Sequence, residues 1–176
     1  MVLSDKIKEA IRDVENFPKP GIIFKDITPI FQNQQLCNEI INGFIDSLDG
    51  QKLDAVAGIE SRGFLFGILL ANRLNIPFIM IRKAGKLPYK TISYKYELEY
   101  GTSTIEMHED AVMPGWNVLI HDDLLATGGT AVAAAELIQQ QKANIHGFSF
   151  VVNLRSLGGE LKLKKYSTKI ISLLTY

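Results

Sequence analysis

The chain has 176 residues, 47% of them hydrophobic and 22% charged, with 19 basic and 19 acidic side chains. That balance excludes a disordered charged tail and a surface built for non-specific nucleic-acid binding, and the length suits one domain with a sizeable core. The lone Cys37 cannot form an internal disulfide, and His108, His121 and His146 are too scattered for a zinc motif.

Leu3, Ile7, Ala10, Ile11 and Val14 recur at helical spacing, which predicts a helix over 3–14 with Ser4 in position to cap it. The charges in its first turns (Asp5, Lys6, Lys8, Glu9) argue against a signal peptide. No uncharged apolar run approaches the ~20 residues needed to span a bilayer. The cytoplasm is therefore the expected location, with neither a membrane nor a nucleic acid as partner.

Phe17-Pro18-Lys19-Pro20-Gly21 must break that helix. Ile22-Ile23-Phe24 follows, with Asp26 and Thr28 leading into Pro29, and then an amphipathic helix over 35–48. From there strands alternate with helices. Strands are expected at 54–59, 78–81, 117–120, 147–152 and 169–174, and helices at 62–74 and 131–142. This order predicts an α/β fold with a parallel sheet and crossover helices, whose ligands bind at the carboxyl ends of the strands. Residues 84–104 hold Gly85, Pro88 and Gly101 and no clear apolar period. They form either a long irregular loop or a β-hairpin, and long loops are often functional lids.

The most informative run is Val118-Leu119-Ile120-His121-Asp122-Asp123-Leu124-Leu125-Ala126-Thr127-Gly128-Gly129-Thr130. It reads as a strand, two carboxylates, a small-residue loop and a helix start. Glycines let a backbone approach an anion closely, and a helix N-terminus offers free N–H groups and a positive dipole end, which suits phosphate. Thr127 and Thr130 add hydroxyl donors. Asp122 and Asp123 would repel phosphate, so they need sugar hydroxyls or a magnesium ion. Phosphate and sugar together point to a ribose 5-phosphate site. The plainer alternative is a turn whose Asp and Thr residues only cap a helix.

Gly58-Ile59-Glu60-Ser61-Arg62-Gly63 is a second strand–turn–helix junction. Its glycine spacing mimics a Walker loop, but Phe64 stands where that motif needs Lys, which disfavours a P-loop NTPase. No Gly-x-Gly-x-x-Gly follows a strand, so a dinucleotide site is also disfavoured. Arg62 at a helix start can bind a second anion. Arg82, Lys83 and Lys86 cluster after the next strand, which fits a pyrophosphate group as well as a merely solvated strand end.

The Asp122–Thr130 stretch closely resembles the phosphoribosyl pyrophosphate signature of the type I phosphoribosyltransferases. Further segments extend the likeness over nearly the whole chain: Phe17-Pro18, Pro20 to Pro29, Gly58 to Gly67, Ile81-Arg82-Lys83, Gly85 to Pro88, and Leu98-Glu99-Tyr100-Gly101. His121 departs from the family, which usually has an aliphatic residue there, and Lys25 stands where many relatives have Arg. The two cations are not interchangeable.

The resemblance implies a mostly parallel twisted sheet flanked by helices, a small N-terminal hood over the base (about 1–30), a core (about 31–176) and a flexible catalytic loop (84–104). It implies that Asp122 and Asp123 lie along the ribose hydroxyls and that Ala126, Thr127, Gly128, Gly129 and Thr130 hold the 5-phosphate. Glu60, Ser61, Arg62, Arg82, Lys83 and Lys86 would serve pyrophosphate, around a Glu60–Ser61 peptide that is strained or cis. Phe24 would stack on a purine, backbone groups of Ile23 and Lys25 would read its edge, and Glu99 would handle the proton. The implied reaction converts adenine and phosphoribosyl pyrophosphate to AMP and pyrophosphate, with Mg2+ held mainly by the substrate, in a homodimer. The rival readings are a hypoxanthine, guanine or xanthine transferase, and a non-catalytic sensor of the same sugar phosphate, which would need a basic recognition helix that this sequence lacks.

Overall fold

Seven strands form the central sheet of the computed structural model, which describes residues 1–97 and 101–176. In chain order these are β3 (Ala55–Ile59), β4 (Phe78–Lys83), β5 (Thr91–Glu97), β6 (Thr102–His108), β7 (Asn117–Leu125), β8 (Asn144–Asn153) and β9 (Ile170–Thr175). Their spatial order is β5-β6-β4-β3-β7-β8-β9. The pairs from β4 through β9 are parallel, and β6 joins β4 antiparallel with β5 beyond it. The expected α/β sheet is therefore the one observed.

Among the described residues five α-helices accompany it: α1 (Leu3–Ala10), α2 (Gln34–Leu48), α3 (Gly63–Leu74), α4 (Gly129–Gln140) and α5 (Gly159–Leu163). Strand alternation splits the core in two. Ala55, Ala57 and Ile59 of β3 and Val118 and Ile120 of β7 join α4 in one cluster. Val56 and Leu119, pointing the opposite way, join α1, α2 and α3 in the other. Phe148 and Phe150 are fully buried in the first cluster and Phe44 and Phe66 in the second, and each such side chain stabilises the fold by about 1.5–3 kcal/mol.

The sheet and its pairing redraw several boundaries. The first helix stops at Ala10, because Arg12–Glu15 forms a strand (β1) that pairs antiparallel with β2 (Ile23–Asp26). Helical periodicity cannot register partners 8 to 14 residues away. Val2, not Ser4, precedes α1, and no side chain caps it. Between β1 and β2, Asn16 accepts the Gly21 N–H at 2.9 Å, and the Phe17–Pro18 peptide is cis. Of the two alternatives for 84–104, the described residues form the hairpin, with Thr91↔His108 and Glu97↔Thr102 as its outer and inner pairs. Strand β7 runs on to Leu125, so Asp122 and Asp123 lie within it rather than beyond it. Among the described residues no helix is long and apolar enough to cross a membrane.

Candidate active site

The carboxyl ends of the central strands β4, β3 and β7 lie side by side at one end of the sheet, and most of the chemistry predicted from sequence collects there. Asp123 is buried at 3% exposure and forms an ion pair with Arg62, Nε to Oδ2 at 2.9 Å. Its backbone N–H donates to Asp122 Oδ1 at 2.9 Å. Burial, with the neighbouring Asp123 charge, holds the Asp122 carboxyl well above the usual carboxylate range. Helix α3 comes close because Gly63 has no side chain: a Cβ there would sit 2.9 Å from the His121 carbonyl oxygen. The His121 side chain points into the core from β7. It is fully buried, with Nδ1 2.9 Å from Ser149 Oγ and Phe44 edge-on at 5.3 Å between ring centroids. Burial lowers its pKa to about 3, so the ring is neutral.

Beyond β7 the chain turns through Ala126 and Thr127 into α4. Gly128 is the N-cap residue at φ +79°, and a Cβ there would lie 2.9 Å from the Gly159 carbonyl oxygen. The start of α5 thus supports the loop from beneath, a contact with no signature in the sequence. A cleft of about 90 Å³ is lined by Asp122, Leu124, Leu125, Phe150 and residues 126–131. No side chain caps α4 and no acid lies in its first turn. The first N–H groups of a helix have no partner inside it. Thr127 and Thr130 are therefore not the caps that the plainer alternative required. The Thr130 hydroxyl instead meets Tyr96 Oη of the hairpin at 3.2 Å. Tyr96 went unnoticed in the sequence, inside the 84–104 stretch that shows no clear apolar period.

At the ends of β3 and β4 the Glu60–Ser61 peptide is cis. Glu60 accepts from Arg82 Nε at 3.2 Å and from the Lys83 N–H at 3.0 Å, and it pairs with the Lys86 ammonium. Burial opposes ionisation of Glu60, but the donors from Lys86, Lys83 and Arg82 outweigh it and lower its pKa. The carboxylate therefore stands among the cations as their counter-ion. Ser61 and Lys83 are exposed beside it.

Phe24 lies on β2, half-buried, with Phe17 edge-on at 5.1 Å and the Arg62 guanidinium 4.9 Å from its ring centroid. Arg62 thus bridges the Asp123 carboxylate and the Phe24 face, rather than standing with Arg82 and Lys86. Lys25 points away from that face, since neighbours on a strand alternate. Its ammonium binds Asp13 Oδ1 at 2.7 Å and lies 4.4 Å from the Tyr176 ring centroid. Ile23 is exposed. Glu99 lies outside the described residues. Among the described residues no three His, Cys, Asp or Glu side chains gather as a metal site.

The Phosphoribosyl transferase domain family matches residues 25–173, a span that takes in all three strand ends. The class is thereby fixed: this is a phosphoribosyltransferase. An adenine phosphoribosyltransferase of Cytophaga hutchinsonii is 53% identical over 99% of this chain and 97% of its own. The crystal structure of that enzyme from Thermoanaerobacter pseudethanolicus superposes with a TM-score of 0.94 at 47% identity, covering 98% of this chain and 99% of its own. The Saccharomyces cerevisiae enzyme, solved with an imino-altritol bisphosphate and adenine, gives 0.91 at 41% identity and covers 98% of each chain. The chain belongs to the adenine phosphoribosyltransferase family.

Proposed function

We propose that this protein transfers the 5-phosphoribosyl group of phosphoribosyl pyrophosphate to adenine, giving AMP and pyrophosphate in purine salvage. The observation that carries this reading is the Arg62 bridge. It links the Asp123 carboxylate at the end of β7 to the Phe24 ring, so one side chain joins the proposed sugar-binding and base-binding groups. Asp122 and Asp123 accept the ribose hydroxyls, and residues 126–130 donate to the 5-phosphate. Arg82 and Lys86 exchange their Glu60 partner for pyrophosphate as it leaves, which stabilises the charge that develops there. Each hydrogen bond to a charged group is worth about 1.5–3 kcal/mol.

The base stacks on Phe24, beside or in place of Arg62, and backbone groups of Ile23 and Lys25 read its edge. Glu99 accepts the proton that leaves the base, a role that rests on the family resemblance alone. The N-terminal segment covers the base, and the 84–104 loop closes over the site and excludes water, which otherwise competes as nucleophile. Two adjacent carboxylates fit Mg2+ that keeps most of its ligands from substrate and water. Asp122 and Asp123 would help hold such an ion, which would offset the charge of the pyrophosphate group.

A homodimer is supported by an apolar stripe on one flank, where Leu65, Ile68, Leu69 and Met80 are each 44–48% exposed. Sedimentation as a single-chain species alone would refute it. The activity test is incubation with phosphoribosyl pyrophosphate, Mg2+ and each purine separately. AMP formation with adenine strongly preferred is expected. Comparable kcat/KM with hypoxanthine overturns the base assignment, and no turnover with any purine overturns the transferase.

A further inference from the structure

Glu106 lies on β6, 6% exposed, behind the cationic turn that follows β4. Its Oε1 accepts three successive backbone N–H groups, from Gly85 at 3.0 Å, Lys86 at 3.2 Å and Leu87 at 3.1 Å. Its Oε2 lies 3.4 Å from the Thr91 hydroxyl. Consecutive N–H groups that converge on one point are how backbones cradle anions. Here the fold supplies its own anion. Gly85 makes this possible by taking φ +84°, which side chains disfavour.

The same turn is tied from its other side, where Arg82 Nη1 donates to the Lys86 carbonyl at 3.1 Å. Arg82 is paired with Glu106 in the β4–β6 register, so the carboxylate and the guanidinium start from the same rung. Without Glu106, three part-buried N–H groups would lose their shared acceptor and the 85–87 backbone would be free to turn toward water.

We infer that Glu106 is the positioning residue of the pyrophosphate subsite. It fixes the 85–87 backbone so that the Arg82 and Lys86 side chains converge on one point, now occupied by the Glu60 carboxylate. Glu106 does not meet the substrate. This role rests on the phosphoribosyltransferase reading above, and it differs from a general contribution to folding. It predicts a selective loss, because the groups proposed to meet AMP lie on β2, β7 and the 126–130 loop, and Glu106 bonds to none of them directly.

The test is calorimetric titration of AMP and of magnesium pyrophosphate into wild type, Glu106→Gln and Glu106→Ala, with amide hydrogen exchange at residues 85–87. Glu106→Gln keeps an acceptor oxygen but not the charge, and charge-assisted bonds are roughly twice as strong, so pyrophosphate affinity should fall about 5–10-fold while AMP affinity stays within about twofold. Amide protection at 85–87 should fall with it. Glu106→Ala should lose more, and if it does not fold the Gln variant decides. A Gln variant that loses both ligands equally, or neither, overturns this role alone. A wild-type protein that binds neither ligand overturns the phosphoribosyltransferase reading and this role with it.

Discussion

His121 sits at the centre of the fold with a pKa lowered to about 3 by burial, against about 6.5 in an unfolded chain. Below pH 6.5 the unfolded chain binds a proton that the folded one refuses. The stabilisation from keeping this ring neutral is therefore complete above pH 6.5 and is lost as pH falls toward 3. At 1.36 kcal/mol per pH unit, the change from pH 7.5 to 5 should cost about 2 kcal/mol from this side chain alone. The perturbation is His121→Val, which removes the titrating ring and leaves a small cavity against Phe44 and Ser149. Urea unfolding of both proteins at pH 7.5 and 5 separates the two effects. The cavity term is the same at both pH values, as are the other titrating groups common to both proteins. The variant is expected to be less stable at pH 7.5 yet to lose about 2 kcal/mol less than wild type on acidification. Equal losses in the two proteins would show that His121 does not titrate as its burial demands.

Asp123→Asn should break the Arg62 pair and weaken phosphoribosyl pyrophosphate binding by about 1.5–3 kcal/mol without unfolding the chain. Unchanged affinity by titration would remove Asp123 from the sugar site. Phe24→Ala should weaken adenine binding by about 1–3 kcal/mol and keep adenine preferred over hypoxanthine, since any purine has a face to stack. Loss of that preference in kcat/KM would move base selection onto the ring. Thr130→Val should raise the KM for phosphoribosyl pyrophosphate while the melting temperature barely moves, because Thr130 does not cap α4. A large stability loss at unchanged KM would contradict that. Glu99→Ala should lower kcat by about 10²–10⁴-fold, and a raised KM with kcat intact would limit Glu99 to ordering the loop.

The sequence alone determined the alternation of strands and helices, because strand and helix periods are local properties of the chain. It also marked the groups whose chemistry is written in short runs: two carboxylates, a glycine loop before a helix, and cations after a strand. What it did not carry was pairing between distant segments. Arg12–Glu15 reads as the tail of a helix until Ile23–Asp26 offers it backbone partners. Thr102–His108 carries little strand signal of its own and became β6 by pairing with β4 and β5. With β6 unseen, Glu106 could not be recognised as the anchor of the 85–87 turn. Tertiary structure likewise set the partners of the charges. Arg62 pairs with Asp123 and Phe24, Glu60 gathers Arg82 and Lys86, and Lys25 turns to Asp13. A spacing can put a charge at a strand end. Only the packed sheet decides which opposite charge comes within 3 Å of it, because that distance depends on elements far apart along the chain.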